Sequence, residues 1–333
     1  MSTVEFIQIE PTTRCNFKCA FCPRRHLELG DMDYDIYIRI LNEYTDVRYL
    51  QLYGEGEPLM HPLFYSMIRE AKKRGITIST ITNGSLLDNN IENILASGLN
   101  SVHISLESTD PATFKKIRGG DINNILNSID ILINRRNSND SSTPYIGFSV
   151  TVLKETKDDL DQIFTHYHDM AMDGGIIIQP LNEMSSYTKN YNDEVHYQAL
   201  ENSELKMIDD KLYNNNTLNE IQKDRRLNST FFEALRHNFN AERDGCPWLL
   251  RSLFINFSGY AMPCSMIKNI ELYSFGNVGR DSMESVLEKR ERMREQILLG
   301  NIPEACRNCR TLDPCYKPGK MYQYLDRQSR LPG

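Results

Sequence analysis

At 333 residues the chain has room for one large domain or two, and its 40% hydrophobic and 25% charged content is that of an ordinary globular protein. No apolar run reaches membrane-span length, and the opening MSTVEFIQIE lacks a secretion signal's charged start and apolar stretch, so a cytoplasmic protein with no membrane partner is expected. The net charge of −7 argues against a large nucleic-acid surface, which needs a basic footprint, and eight cysteines without a secretion signal point to metal or redox chemistry rather than disulfides.

Taken in chain order, β-rich apolar runs at Val4–Glu10, Val47–Tyr53, Thr77–Thr82, Ser101–Leu106, Tyr145–Val152 and Gly175–Pro180 predict strands. Amphipathic stretches between them, among them Tyr34–Tyr44, His61–Arg74, Asn90–Ser97, Ile122–Arg135 and Asp158–Met170, predict helices. Strands alternating with such helices make βαβ units on a parallel sheet, so the expected class is α/β, a closed or partial (β/α)6 barrel. In barrels of this kind the functional loops gather at the C-terminal strand ends. Residues 183–240 are polar, rich in Asn and Tyr, and read as a helical bridge with a turn signal at Tyr213–Asn216. A cysteine-rich segment follows. The expected division is a core over 1–182, a bridge over 183–240 and a small α+β domain over 241–333.

The strongest chemical signal is Cys15, Cys19 and Cys22, spaced C-x3-C-x2-C in the loop after the first strand. That spacing is too tight for disulfides, and three thiolates fall one short of a closed structural zinc site. A cubane iron–sulfur cluster held by three cysteines keeps an iron with an open position, where a substrate or cofactor can bind. Zinc with a distant fourth ligand, or inert thiols, are the competing readings of these three residues alone. The motif after a strand resembles the radical S-adenosylmethionine (SAM) superfamily. The resemblance implies a [4Fe–4S] cluster whose fourth iron chelates the amino and carboxylate groups of SAM. A reduced cluster would then cleave SAM to methionine and a 5′-deoxyadenosyl radical, which removes a hydrogen atom from a C–H bond.

The second predicted strand ends in Gly54-Glu55-Gly56-Glu57-Pro58, where glycines let the backbone approach a ligand and Glu57 offers an anion to an ammonium group. A bland turn with solvated carboxylates is the alternative. Gly56-Glu57-Pro58 resembles the superfamily's GGEP motif, with Glu55 standing where the motif usually has another glycine. By that resemblance Gly56, Glu57 and Pro58 lie at the SAM amino group, and the strand ends carrying Asn83 and Ser105 line the SAM site. Ser105 would meet the ribose, Arg118 the carboxylate, and Gln179 would border the adenine.

The remaining cysteines are Cys246, Cys264, Cys306, Cys309 and Cys315. Apolar runs flanking Ser258-Gly259 predict a β-hairpin that brings Cys246 and Cys264 together. The set resembles the SPASM extension and its shorter twitch form, but the position four after Cys315 is Gly319 and no cysteine follows. Five thiols cannot fully ligate two clusters, so the resemblance implies one auxiliary [4Fe–4S] cluster on Cys246, Cys264, Cys306 and Cys309. Four-cysteine zinc is the competing reading there. Cys315 is left as an alternative ligand, an inert thiol, or a hydrogen-atom donor, the last making the enzyme an epimerase.

The expectation is therefore a radical SAM enzyme that oxidises or epimerises its substrate. The single auxiliary cluster, and the fourteen residues before Cys15 with no room for a peptide-binding domain, resemble the branch acting on small molecules such as sugars and aminocyclitols. Maturation of a short ribosomal peptide, by epimerisation or cross-linking, is the alternative, and a reduced flavodoxin or ferredoxin is the expected electron donor. A non-catalytic iron–sulfur electron carrier is the reading from another class, but it has no use for a site shaped for the SAM amine.

Overall fold

The computed structural model describes residues 3–214, 245–309 and 312. Six strands run parallel in sequential order: β1 (Phe6–Ile9), β2 (Tyr49–Leu52), β3 (Thr77–Thr82), β4 (Ser101–Leu106), β5 (Tyr145–Val152) and β6 (Ile176–Pro180). β6 and β1 do not pair, so the parallel sheet is a part-barrel rather than a closed one. β7 (Ser252–Ile255) pairs parallel with the free side of β1, and β8 (Tyr260–Met262) and β9 (Gly276–Asn277) follow antiparallel. The cysteine-rich segment thus builds onto the core sheet itself. Arg39 ties it again to the core through the carbonyls of Gly279 (2.6 Å) and Asp281 (3.2 Å).

Side-chain alternation along the strands gives this sheet two unlike faces. Register places Ile7, Leu50, Ile78, Val102, Ile146 and Leu253 on one face, all at most 1% exposed. The helices bury their apolar sides in the same core as these residues. The other face carries Gln8, Gln51, Ser79, His103, Ser105, Ser149, Thr151 and Gln179, and it lines the concave interior. Core strands of a parallel sheet usually read as continuous apolar runs. A polar inner face is therefore a chemical feature, not a packing solution.

The helices start and stop on local chemistry. Asp33 caps α1 (Tyr34–Glu43) by accepting from the amides of Asp35 and Ile36, and Asp121 caps α5 (Ile122–Ser138) in the same way. α2 (Phe64–Lys73), α3 (Ile91–Ser97) and α6 (Leu160–Asp169) fall within or next to the periodic stretches. α4 (Pro111–Arg118) was not among the periodic stretches singled out, yet its sequence carries both end signals: Asp110 caps it, Pro111 opens it, and Gly119 closes it at φ +83°. Beyond β6 come three helices, Ser185–Thr188, Asp193–Tyr197 and Asn202–Asn214. The rest of the expected bridge lies outside the described residues, as does Cys315.

His103 is the titratable group most committed to the sheet. It is buried on β4, its Nε2 lies 2.8 Å from the Gly174 carbonyl, and a Cβ on Gly147 would come within 2.7 Å of its ring. Burial lowers its pKa to about 4 from 6.5. A histidine held neutral in the fold binds its proton more readily once unfolded. Its contribution is complete above pH 6.5 and is lost as pH falls toward 4. Between about pH 7.5 and 5 we expect urea denaturation to lose about 2 kcal/mol that His103→Asn does not lose. Equal slopes in the two proteins would show that folding does not shift the His103 pKa.

Candidate functional site

The loop after β1 is pinched shut at its base. Thr12 Oγ1 donates to Asp31 (2.7 Å), Arg14 reaches the same carboxylate through Nε (3.0 Å) and Nη2 (2.5 Å), and Thr13 Oγ1 donates to the Glu28 carbonyl (2.8 Å). Cys15, Cys19 and Cys22 are carried on the loop thus closed. Phe17, between the first two, is buried edge-on against Phe114, and a Cβ on Gly120 would sit 2.3 Å from its ring. Gly120 is required for that close approach.

Each of the three thiols has a polar neighbour from a different segment: the ends of β3 and β2 and the last residue of α4. Asn83, after β3, aims its amide nitrogen at Cys15 Sγ (3.7 Å) and at Asn16 Oδ1 (2.9 Å). Arg118 points Nη1 at Cys19 Sγ (3.8 Å), and Cys22 Sγ lies 3.6 Å from a Glu55 oxygen. Burial raises the Cys19 thiol above its usual range, while the Arg118 charge works the other way.

Glu57 organises the segment after β2. It is 1% exposed, and its carboxylate accepts from Thr82 Oγ1 (2.7 Å), the Asn83 amide (2.7 Å) and the Leu59 amide (3.1 Å). Its own amide donates to the Arg14 carbonyl (2.7 Å). A Cβ on neighbouring Gly56 would lie 2.2 Å from the Thr12 oxygen and 2.7 Å from the Arg14 oxygen. Only glycine lets these two loops touch. Pro58 opens the short turn Pro58–Met60 that this carboxylate caps.

The other residues named from sequence are placed less uniformly. Arg118 is 7% exposed and forms a two-nitrogen ion pair with buried Glu107, which leaves Nη1 toward Cys19. Ser105 is half-buried beside Ser149 on the inner face. Gln179 lies two strands further along, 3.5 Å from Thr151 Oγ1. Both belong to the wall of the inner face, and neither hydrogen-bonds to Cys15, Cys19 or Cys22.

The second group of cysteines forms around the β7–β8 hairpin, whose turn uses Gly259 at φ +83°. Cys246 precedes the hairpin, Cys264 follows it, and Cys306 and Cys309 arrive after the long helix Met283–Leu298. The four are close enough to feel one another's charge. Burial, then the neighbouring thiols, drives Cys246 well above its usual range; burial is also the main cause that lifts Cys264 to about 11 and Cys306 to about 12. Thiols crowded together out of water hold protons unless a metal centre takes their place, so the donor chemistry suits a thiolate-bound cluster. Among the described residues no three donors converge tightly enough to hold a single metal ion.

Sequence reading missed a charged group joining these two regions. Lys268, four residues after Cys264, donates to Glu55 (2.5 Å) and to the Ser265 carbonyl (2.6 Å). Tyr187 donates its hydroxyl to the same Glu55 oxygen. Glu10, at the end of β1, is 4% exposed and accepts from the Glu55 amide (2.9 Å). The one available signal was a carboxylate two residues beyond Gln8, hence on the inner face.

Among the described residues no helix is long and apolar enough to cross a membrane. The profile of the radical SAM superfamily matches residues 9–166, and that of SPASM, an iron-sulfur cluster-binding domain, matches residues 246–310. A tungsten-containing aldehyde ferredoxin oxidoreductase cofactor-modifying protein of Pyrococcus furiosus is 25% identical over 94% of this chain and 89% of its own. A GTP 3′,8-cyclase of Microcystis aeruginosa is 36% identical, but over 36% of this chain and 39% of its own. Among solved structures, Streptococcus suis SuiB bound to SAM superposes with TM-score 0.65 at 15% identity, covering 90% of this chain and 68% of that one. Native anSMEcpe with bound SAM gives 0.63 at 15% identity, over 91% and 86%.

Gly56→Ala tests the closeness of the two loops. Overpacking of this kind costs about 1–3 kcal/mol, and we expect the urea midpoint to fall accordingly. An unchanged midpoint would show that the Thr12 and Arg14 carbonyls move aside freely.

Proposed function

Because this chain belongs to the radical SAM superfamily and carries a C-terminal SPASM domain, we propose that it is an enzyme that takes a hydrogen atom from a small biosynthetic molecule, which is then oxidised or epimerised. When bound, the reduced cluster and SAM supply the one-electron cleavage to methionine and the 5′-deoxyadenosyl radical; the protein supplies binding, orientation and exclusion of water.

In this reading Cys15, Cys19 and Cys22 hold the SAM-binding [4Fe–4S] cluster, and Cys246, Cys264, Cys306 and Cys309 hold the auxiliary one. Gly56, Glu57 and Pro58 shape the backbone for the SAM amino group. Glu57 does so as an anchor, since its carboxylate already accepts from three donors. Arg118 and Asn83 present a positive charge and an amide donor to Cys19 and Cys15. Both favour thiolate over thiol and keep the cluster sulfurs hydrogen-bonded. Ser105 and Gln179 remain candidates for the ribose and adenine walls. Electrons come from a reduced flavodoxin- or ferredoxin-type donor.

The observation that carries the substrate class is the cavity at the ends of β1 and β7. Its volume is about 80 Å³, and it is lined by Glu10, Phe254, Asn256, Met262 and Lys268 among others. A space of that size suits part of a small molecule. The near-full-length relative whose name describes cofactor modification agrees with a small substrate. A peptide substrate is the second reading, favoured by the fold-level neighbours solved with a precursor peptide, for SuiB, and with short peptides, for anSMEcpe.

Replacing Cys15, Cys19 and Cys22 together with alanine is expected to abolish 5′-deoxyadenosine formation under reducing conditions. Iron should fall from roughly eight to roughly four atoms per chain. Formation of 5′-deoxyadenosine at the wild-type rate would refute the assignment of the first cysteine group. Loss of all the iron would instead argue against a separate auxiliary site.

A further inference from the structure

Two carboxylates and one lysine are buried where the two cysteine regions meet. Contacts run from Cys22 to Glu55 (3.6 Å), and from Glu55 to Lys268 (2.5 Å), which sits on the loop after Cys264. Tyr187, from the segment after β6, closes on Glu55 from another side. Glu10 packs behind them against the Gly54 backbone, where a Cβ would lie 2.4 Å from its Cγ. Gly54 therefore fixes the direction of the Glu10 side chain.

The charges in this group do not balance. Lys268 donates to Glu55 and the Ser265 carbonyl, with the rings of Tyr187 (5.4 Å) and Phe254 (5.9 Å) over its ammonium group, so its one positive charge is shared between Glu55 and Glu10. Glu55 has Lys268 and the Tyr187 hydroxyl. Glu10 receives the Glu55 amide and faces the Phe257 backbone, and the charges acting on it come from Lys268 and Glu55. A carboxylate has room for about four hydrogen bonds, so Glu10 retains acceptor capacity. The cavity beside it is lined by Glu10, Glu28 and Lys268, two negative groups to one positive.

We propose that this cavity is a substrate subsite for an ammonium group, with Glu10 as its counter-charge and Lys268 locking Glu55 in place beside Cys22. An amine entering here restores the missing positive charge and meets a carboxylate that Gly54 has already oriented. The apolar lining of Phe254, Met262 and Ile267 covers the carbon chain behind the amine. A buried carboxylate pays most of its desolvation before the ligand arrives, so an ion pair formed there is stronger than one made in water. Burial raises the Glu10 carboxyl above its usual range against the pull of Lys268, and an arriving cation acts in the same direction as Lys268.

The inference deepens the small-molecule reading and rests on it, because it names an amine-bearing substrate for the same interior. The probe is n-propylammonium, compared with propan-1-ol and propionate, on the cluster-loaded enzyme with SAM present, by ligand-observed NMR. The expected order is propylammonium first by at least about tenfold, a preference that Glu10→Gln removes. Equal binding of propanol, or preference for propionate, overturns the proposal in wild-type protein whether or not the variant folds. Unchanged propylammonium preference in a Glu10→Gln protein of normal iron content also overturns it. Formation of 5′-deoxyadenosine, measured in the same wild-type preparation, reports on the radical chemistry separately. Its absence would sink the function while leaving the NMR result to decide the subsite.

Discussion

The structure turns on the Glu57 carboxylate. Three donors from two chain segments converge on it, Leu59 just beyond it and Thr82 and Asn83 at the end of β3, while its amide holds the cysteine loop at Arg14. A buried carboxylate without partners would be expelled or protonated; with three donors it becomes a rivet between strand ends. Asn83, fixed by that rivet, is what points an amide at Cys15. Burial still raises the Glu57 carboxyl, and the three hydrogen bonds oppose that rise. Position is thus bought with a desolvated charge, and the neighbouring glycine exists so that the two backbones can meet over it.

The same economy explains the polar inner face. An interior lined by Gln8, Gln51, Ser105, Ser149 and Gln179 packs less well than an aliphatic one. The Oε1 atoms of Gln8 and Gln51 are buried with no hydrogen-bond partner in the protein. Buried acceptors of that kind cost about 1–3 kcal/mol each. The outer face, with Ile7, Leu50, Ile78, Val102, Ile146 and Leu253 in one core, supplies the burial that tolerates this cost. Stability is built on one side of the sheet and chemistry on the other.

Much of this was legible in the chain. The six parallel strands stand out because β-branched runs recur between helical stretches, and the three clustered cysteines and Gly56-Glu57-Pro58 are local signals tied to a strand end. The hairpin was legible for the same reason, since Gly259 marks its turn. What could not be read is what depends on distant pairing. The joining of β7 to β1 links opposite ends of the sequence, and nothing in Ser252–Ile255 names its partner. Arg118 was visible as a lone arginine, but its commitment to Glu107 requires the β4–α4 turn to fold back. Helix α4 was not singled out, although its caps were written in Asp110-Pro111 and Gly119.

The least legible part is the group of buried charges between the two cysteine regions. Glu10, Glu55, Tyr187 and Lys268 come from four separate segments, and no sequence pattern links the four. Their assembly follows from the sheet's continuity: because β7 extends the core sheet at β1, the segment after β8 is delivered to the strand ends instead of to a detached domain. A separate iron–sulfur module on a flexible tether could not hold Lys268 within 2.5 Å of Glu55. The pairing of β7 with β1 is then more than an architectural detail. It makes the charge environment beside Cys22 depend on the cysteine-rich segment, through Lys268 and Glu55.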